Sequence, residues 1–138
     1  MKLFEEKFGT LEYDPTVPCI TATFNGFMSS EQFRQFLTTG LDLMIEKKKE
    51  HGRILWLADT RKHVVQPDKD TKWVADEWNP RALKEGINHV AFVLPENVFG
   101  GLSVKKYAEN TEKKTNEMVV QMFGDLESAK NWFKKVTV

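Results

Sequence analysis

The chain is poor in the features that usually announce a chemistry. Its 138 residues include one cysteine, Cys19. No internal disulfide can form, and a reduced, cytoplasmic protein is expected. Charge of one sign is not in excess, because 20 Lys and Arg offset 20 Asp and Glu. That balance removes the field that draws proteins to nucleic acid or to an anionic membrane. No apolar run approaches the roughly 18 residues of a membrane span. Met1 to Thr10 carries Glu5, Glu6 and Lys7 where a signal peptide needs an apolar stretch, so none is expected. Repeats, linkers and low-complexity stretches are lacking too, and a single domain over residues 1–138 is expected. Hydrophobic residues make up 41% of the chain, which is adequate for one core.

The motifs of common catalysts are missing as well. A cysteine nucleophile needs a histidine beside it and a stabilised thiolate, whereas Cys19 lies within a strand pattern and reads as a small, half-buried side chain. A zinc site needs three or four clustered Cys or His ligands, but His51, His63 and His89 are spread over a helix end, a loop and a strand. Walker, Gly-x-Gly-x-x-Gly and Gly-x-Ser-x-Gly patterns do not occur. No catalytic residue, metal or cofactor is therefore expected, and the protein reads as a non-enzyme.

What is present is a regular alternation of elements. Lys2 to Asp14 reads as a strand or strand pair with a turn at Gly9-Thr10. In Val17 to Phe24, Ile20, Ala22 and Phe24 alternate with Cys19, Thr21 and Thr23, as in a strand with one apolar face. Asn25-Gly26 turns the chain. Ser29 then stands three residues before Gln32 in capping-box spacing, flanked by Met28 and Phe33 as a hydrophobic staple. Phe33, Phe36, Leu37, Leu41, Met44 and Ile45 form the apolar stripe of the helix that follows. Lys47, Lys48 and Lys49 suit its negative end, and Gly52 terminates it. This lysine run reads as a solvated helix end, not as a nucleic-acid patch.

Ile54 to Ala58 is apolar on both faces, as an interior strand of a partly parallel sheet should be. A polar connection from Asp59 to Asp68 leads to a helix from Asp68 or Asp70, which Asn79-Pro80 should interrupt or restart, with Asn79 as a new cap, before Gly86 ends it. Ile87 to Leu94 is the next strand. Val98 to Lys113 is predicted to be mostly helical, Met118 to Phe123 is a strand, and Asp125 caps a last helix that turns Leu126, Ala129, Trp132 and Phe133 inward. The order implies an α/β fold of about five strands and about four helices, with the N-terminal strand antiparallel and the remainder mainly parallel.

Two buried strands break into polar groups. Leu57-Ala58 runs into Asp59-Thr60-Arg61, and Val93-Leu94 runs into Pro95-Glu96-Asn97. In open α/β sheets the carboxyl ends of the strands are where sites gather. Asp59 can accept hydrogen bonds or cap a turn, and Arg61 can bind a carboxylate or phosphate; an Asp59–Arg61 pair that merely fixes the loop is the competing reading. Gly100-Gly101 can expose backbone N–H groups to an anion, or can simply turn the chain tightly. Trp73 and Trp78 lie five residues apart on one helix, so they do not share a narrow face. One suits the core and the other a partner surface. Trp56 and Trp132 read as core. With His63 in the intervening loop, these residues make up the candidate binding surface.

Three segments carry a resemblance to a family. Leu57-Ala58-Asp59-Thr60-Arg61, then Thr71 to Ala82 with Glu77-Trp78-Asn79-Pro80-Arg81-Ala82, and Ala91 to Val104 with Pro95 and Val98-Phe99-Gly100 resemble pieces of an uncharacterised bacterial branch of the SpoIIAA-like, STAS-type domains. These are related in fold to anti-anti-sigma factors, and the resemblance covers nearly the whole chain. It implies a β-α superhelix with strands in roughly sequential order, and regulation or binding in place of catalysis. Anti-anti-sigma factors place a phosphorylatable serine in an Asp-Ser-Ser-Gly-like context after the third strand. Here Asp59-Thr60-Arg61-Lys62 departs from that pattern, and Thr60 is the only hydroxyl in reach. The resemblance thus implies a protein partner, with a homodimer as one form of it. A module for a small lipophilic or anionic ligand at the same edge is the alternative, in keeping with the lipid-carrying relatives of the fold. On either reading, Thr60→Glu and Arg61→Ala are expected to disturb binding and leave the thermal midpoint nearly unchanged.

Overall fold

A computed structural model describes residues 2–63, 67–94 and 118–136, the side chains of His63 and Val136 excepted. Six strands form one sheet in sequential order, β1 (Lys2–Glu6), β2 (Gly9–Asp14), β3 (Cys19–Gly26), β4 (Leu55–His63), β5 (His89–Val93) and β6 (Val119–Phe123). β1, β2 and β3 pair antiparallel, and β3 to β6 pair parallel. The mixed α/β sheet and its sequential order agree with expectation, but the first segment is a strand pair, so the sheet has six strands. Its turn falls at Lys7-Phe8, before Gly9. Gly9 lies inside β2 for a packing reason. A Cβ there would stand 2.8 Å from the Phe36 ring and 2.9 Å from the Thr23 carbonyl oxygen.

The helix α1 (Ser30–His51) begins as its sequence requires. Gln32 N–H donates to Ser29 Oγ at 3.1 Å, and Ser29 N–H donates to Gln32 Oε1 at 3.0 Å. Met28 and Phe33, on either side of this box, are both buried. Gly52 ends the helix at φ 80°, the left-handed conformation that glycine adopts without strain. The second helical segment departs from expectation. α2 (Asp68–Trp73) continues through a π-helical turn, Val74–Trp78, into α3 (Asn79–Lys84) without a break. Asn79 keeps helical backbone angles and is buried, so it is not a cap. Its N–H bonds to the Val74 carbonyl five residues back. This wider turn lets the chain take in Pro80, whose ring would clash with the carbonyl four residues back in an α-helix.

The final helix, α4 (Leu126–Val136), starts where Asp125 Oδ1 accepts a hydrogen bond from Ser128 N–H at 2.7 Å. The helix expected over residues 98–113 lies outside the described residues. The described helices divide between the two faces of the sheet. α1 and the α2–α3 rod both connect successive parallel strands laid down in one direction, so right-handed crossovers put them on the same face. That face buries Leu11, Ile20, Phe36, Leu41, Trp56 and Trp78 in one cluster. α4 covers the other face with Ala129 and Phe133 over Cys19, Leu55, Leu57, Ala91 and Val93. β4 supplies both cores by simple alternation, with Trp56 and Ala58 on one side and Leu55 and Leu57 on the other. Among the described residues no helix is long and apolar enough to cross a membrane.

Candidate functional site

The carboxyl edge of the parallel strands is built from the ends of β3, β4 and β5 and the starts of α1 and α2. β4 does not stop at Ala58. Asp59 stays in register with Thr23 on one side and Val93 on the other, and the strand runs on to His63 opposite Gly26. The polar triplet is therefore strand, and its side chains alternate between faces.

Asp59 is buried, and its carboxylate is gripped as a fork. Arg61 donates from Nε to Oδ1 at 2.9 Å and from Nη2 to Oδ2 at 2.8 Å, and the Arg61 backbone N–H adds a third bond to Oδ1 at 3.2 Å. Such bidentate, charge-assisted pairs fix geometry as well as charge. The hydrogen bond to Asp59 and its charge raise the Arg61 pKa above its ordinary value. The Arg61 side chain is 45% exposed while that of Asp59 is 8% exposed. The buried acid thus orients a cation that faces solvent. Thr60 is 3% exposed, and its hydroxyl donates to the Val93 carbonyl at 2.6 Å, tying β4 to β5. The expectation of an accessible Thr60 hydroxyl is corrected here, because an interior strand turns that side chain into the protein.

The two tryptophans separate. Trp78 is 3% exposed, packs tilted against Trp56 with ring centroids 5.4 Å apart, and donates from Nε1 to the Leu37 carbonyl at 2.8 Å. It is an anchor between α1 and β4, not a surface residue. Trp73 is half-buried, and the Arg34 guanidinium lies 5.4 Å from its ring centroid. Beside it, Ser30 donates to Asp70 Oδ2 at 2.8 Å, and Arg34 Nε stands 3.6 Å from Asp70 Oδ1. This second polar cluster joins the starts of α1 and α2. Sequence reasoning missed it because Ser30 and Asp70 are 40 positions apart and neither sits in a motif. It also missed Phe27, which follows β3 and is 66% exposed. The available signal was an aromatic just past Asn25-Gly26, which is not the turn expected but the end of β3, paired with Lys62 and His63 of β4.

His63 ends β4, and its side chain is outside the described residues, as are Glu96, Asn97, Gly100 and Gly101 in full. His89 packs against Trp132 and Phe133 under α4, where burial lowers its pKa. Among the described residues no group of three or more His, Cys, Asp or Glu is arranged to hold a metal ion. A depression of about 280 Å³ opens elsewhere, between β2, β3 and α4, lined by Glu12, Tyr13, Asp14, Pro15, Thr21 and Lys130. It is polar and does not include Arg61. No family model matches the chain, and comparison with curated proteins and with solved structures returned no significant match.

Proposed function

We propose that the chain is a non-catalytic interaction domain of the SpoIIAA-like, STAS type, acting in bacterial regulation by docking a protein partner on the carboxyl edge of its sheet. One observation carries this reading. The groups there that chemistry would use are committed to the scaffold: the Thr60 hydroxyl to Val93, the Asp59 carboxylate to Arg61, the Asp70 carboxylate to Ser30 and the Trp78 indole to Leu37. What faces outward is a pre-oriented cation, Arg61, and an exposed aromatic, Phe27. Arginine and aromatic side chains held in fixed positions are the usual anchors of protein interfaces. The free, buried Cys19 suits a reducing cytoplasm.

The test is affinity capture from lysate of the source cell on immobilised wild-type chain, Arg61→Ala and Phe27→Ser. A specific protein retained by wild type and lost by both variants, with unchanged circular dichroism, is the expected result. Equal retention on all three would remove the carboxyl edge from consideration. Turnover of a substrate by the wild type that Arg61→Ala abolishes would overturn the non-catalytic reading itself.

A further inference from the structure

The two outer strands of the sheet are guarded differently. β1 carries Lys2, Glu5 and Glu6, and its register with β2 shifts between Lys2 and Phe4. Charge and irregularity are the usual defences of an edge against strand addition. β6 reads Val119-Val120-Gln121-Met122-Phe123, with no charge, no proline and an unbroken register against β5. Among the described residues it pairs with β5 alone. Val119 N–H donates to the Asn88 carbonyl at 2.7 Å, and the Phe123 carbonyl accepts from Leu94 N–H at 2.9 Å. Residues 119, 121 and 123 therefore aim their backbone groups at β5. By the two-residue period of a strand, Val120 and Met122 aim theirs away from the sheet.

We propose that this edge takes a second copy of the chain, β6 pairing antiparallel with β6 about a two-fold axis at Gln121. In that register the outward N–H and C=O of Val120 meet those of Met122 in the second copy, and the reverse, so every outward backbone group of both residues is bonded. Val119 opposes Phe123, apolar against apolar. Gln121 opposes itself in a non-hydrogen-bonded pair, with Cβ atoms about 5 Å apart. An amide can both donate to and accept from its own copy across that gap.

The helix above the edge argues for a second copy over an unrelated strand. α4 packs over β4, β5 and β6, and Lys130 on one flank reaches back to Asp14 of β2 at 2.9 Å. The opposite flank, where Trp132 lies on Phe123 with ring centroids 5.7 Å apart, is turned toward β6, the outer strand among the described residues. A two-fold axis at Gln121 sets two α4 helices antiparallel on one side of the joined sheet, with axes roughly 14 Å apart from strand spacing, so that they face each other through long side chains such as Trp132. The acidic start of one, Asp125 and Glu127, then lies beside the basic end of the other, Lys134 and Lys135, and their dipoles oppose. Because β6 runs antiparallel to its mate, the two carboxyl edges point in opposite directions. Such a dimer presents the Arg61 surface twice. Self-pairing at β6 is independent of what that surface binds.

The experiment is sedimentation velocity of the full chain over a concentration series, with Gln121→Lys and Gln121→Glu as separate variants. Gln121 is exposed, so both variants should fold, as circular dichroism would verify. The wild type should dimerise, each variant alone should be monomeric, and an equimolar mixture of the two should dimerise again. Hydrogen exchange gives a readout that needs no variant: the Val120 and Met122 amides should gain protection as concentration rises. A monomer at every attainable concentration overturns the proposal, as does a dimer unaffected by Gln121→Lys. Concentration-independent protection of those amides in a monomer would assign the edge to the chain's own residues, with the same consequence.

Discussion

Gly40→Ala is the substitution for which local propensity and tertiary structure disagree in sign. Gly40 sits in the middle of α1, where alanine should stabilise the helix by about 1 kcal/mol through the lower backbone entropy of the unfolded chain. The fold reverses this expectation. A Cβ at Gly40 would lie 2.5 Å from two carbons of the Trp56 indole, about 1 Å inside the carbon–carbon optimum. Trp56 cannot yield easily, because it is 3% exposed and backed by the Trp78 ring at 5.4 Å, itself bonded to the Leu37 carbonyl. Overpacking of this kind costs about 3 kcal/mol at the upper end; less the regained propensity, the net loss is roughly 2 kcal/mol. For a domain of this length that lowers the thermal midpoint by about 6 °C. Urea unfolding followed by tryptophan fluorescence, with a calorimetric melt, measures it. Trp56→Phe removes the clashing ring edge, so the double variant should be less destabilised than the sum of the singles. A Gly40→Ala protein as stable as wild type, or more so, would refute the close α1–β4 approach on which the packing of this face depends.

Three further outcomes follow from the geometry. Thr60→Glu should lower the thermal midpoint sharply, by the equivalent of roughly 3 kcal/mol or more, because it buries a carboxylate and deletes the bond to Val93, while Arg61→Ala should lower it by a smaller amount, the equivalent of about 1–2 kcal/mol, because it strips the buried Asp59 carboxylate of its two side-chain donors. A cooperative Thr60→Glu melt at the wild-type temperature would put that side chain back at the surface. Burial by itself pushes the Asp14 carboxyl up, but hydrogen bonds from Thr16 and Lys130 outweigh it and hold the pKa at about 2, against 3.8 ordinarily. A depressed folded pKa contributes stability that is complete above about pH 4 and lost as pH falls toward 2. The stability gap between wild type and Lys130→Met should therefore narrow across that window in urea titrations, and a gap independent of pH would remove the Asp14–Lys130 pair as its cause. Cys19 is fully buried, and burial pushes its thiol up to about 11, so a disulfide reagent at pH 8 should react only after unfolding. Prompt labelling of the folded chain would contradict that placement.

Much of the fold is legible residue by residue. Ser29 and Gln32 mark the start of α1, Gly52 its end and Asp125 the start of α4, because a helix terminus is satisfied by groups within one turn of it. The Trp56/Leu57 alternation on β4 likewise announces a strand with two buried faces. Three boundaries differ from their local pattern. Gly9 looks like a turn but serves a close approach to Phe36; Pro80 looks like a break but is carried by a π-helical turn; Asp59 and Thr60 look like a loop but are strand. For Gly9 and for Asp59-Thr60 a neighbour distant in sequence supplies the compensating contact, whereas at Pro80 a bond from Asn79 N–H to the Val74 carbonyl five residues back does so within the helix.

The candidate site follows the same division. Sequence alone determined that polar groups would gather where β4 leaves its apolar run, that Asp59 and Arg61 stand at pairing distance, and that no clustered ligand set or nucleophile motif was spelled out. Periodicity and spacing suffice for this, since they concern residues within a few positions of one another. Only the tertiary structure decided which of those groups face outward. Thr60 and Trp78 went inside because a sheet neighbour and a helix carbonyl accept their hydrogen bonds, while Arg61 and Phe27 were left in solvent. Burial is a property of the whole chain, and no local pattern states which hydrogen-bonding partner will arrive from 33 or 41 residues away.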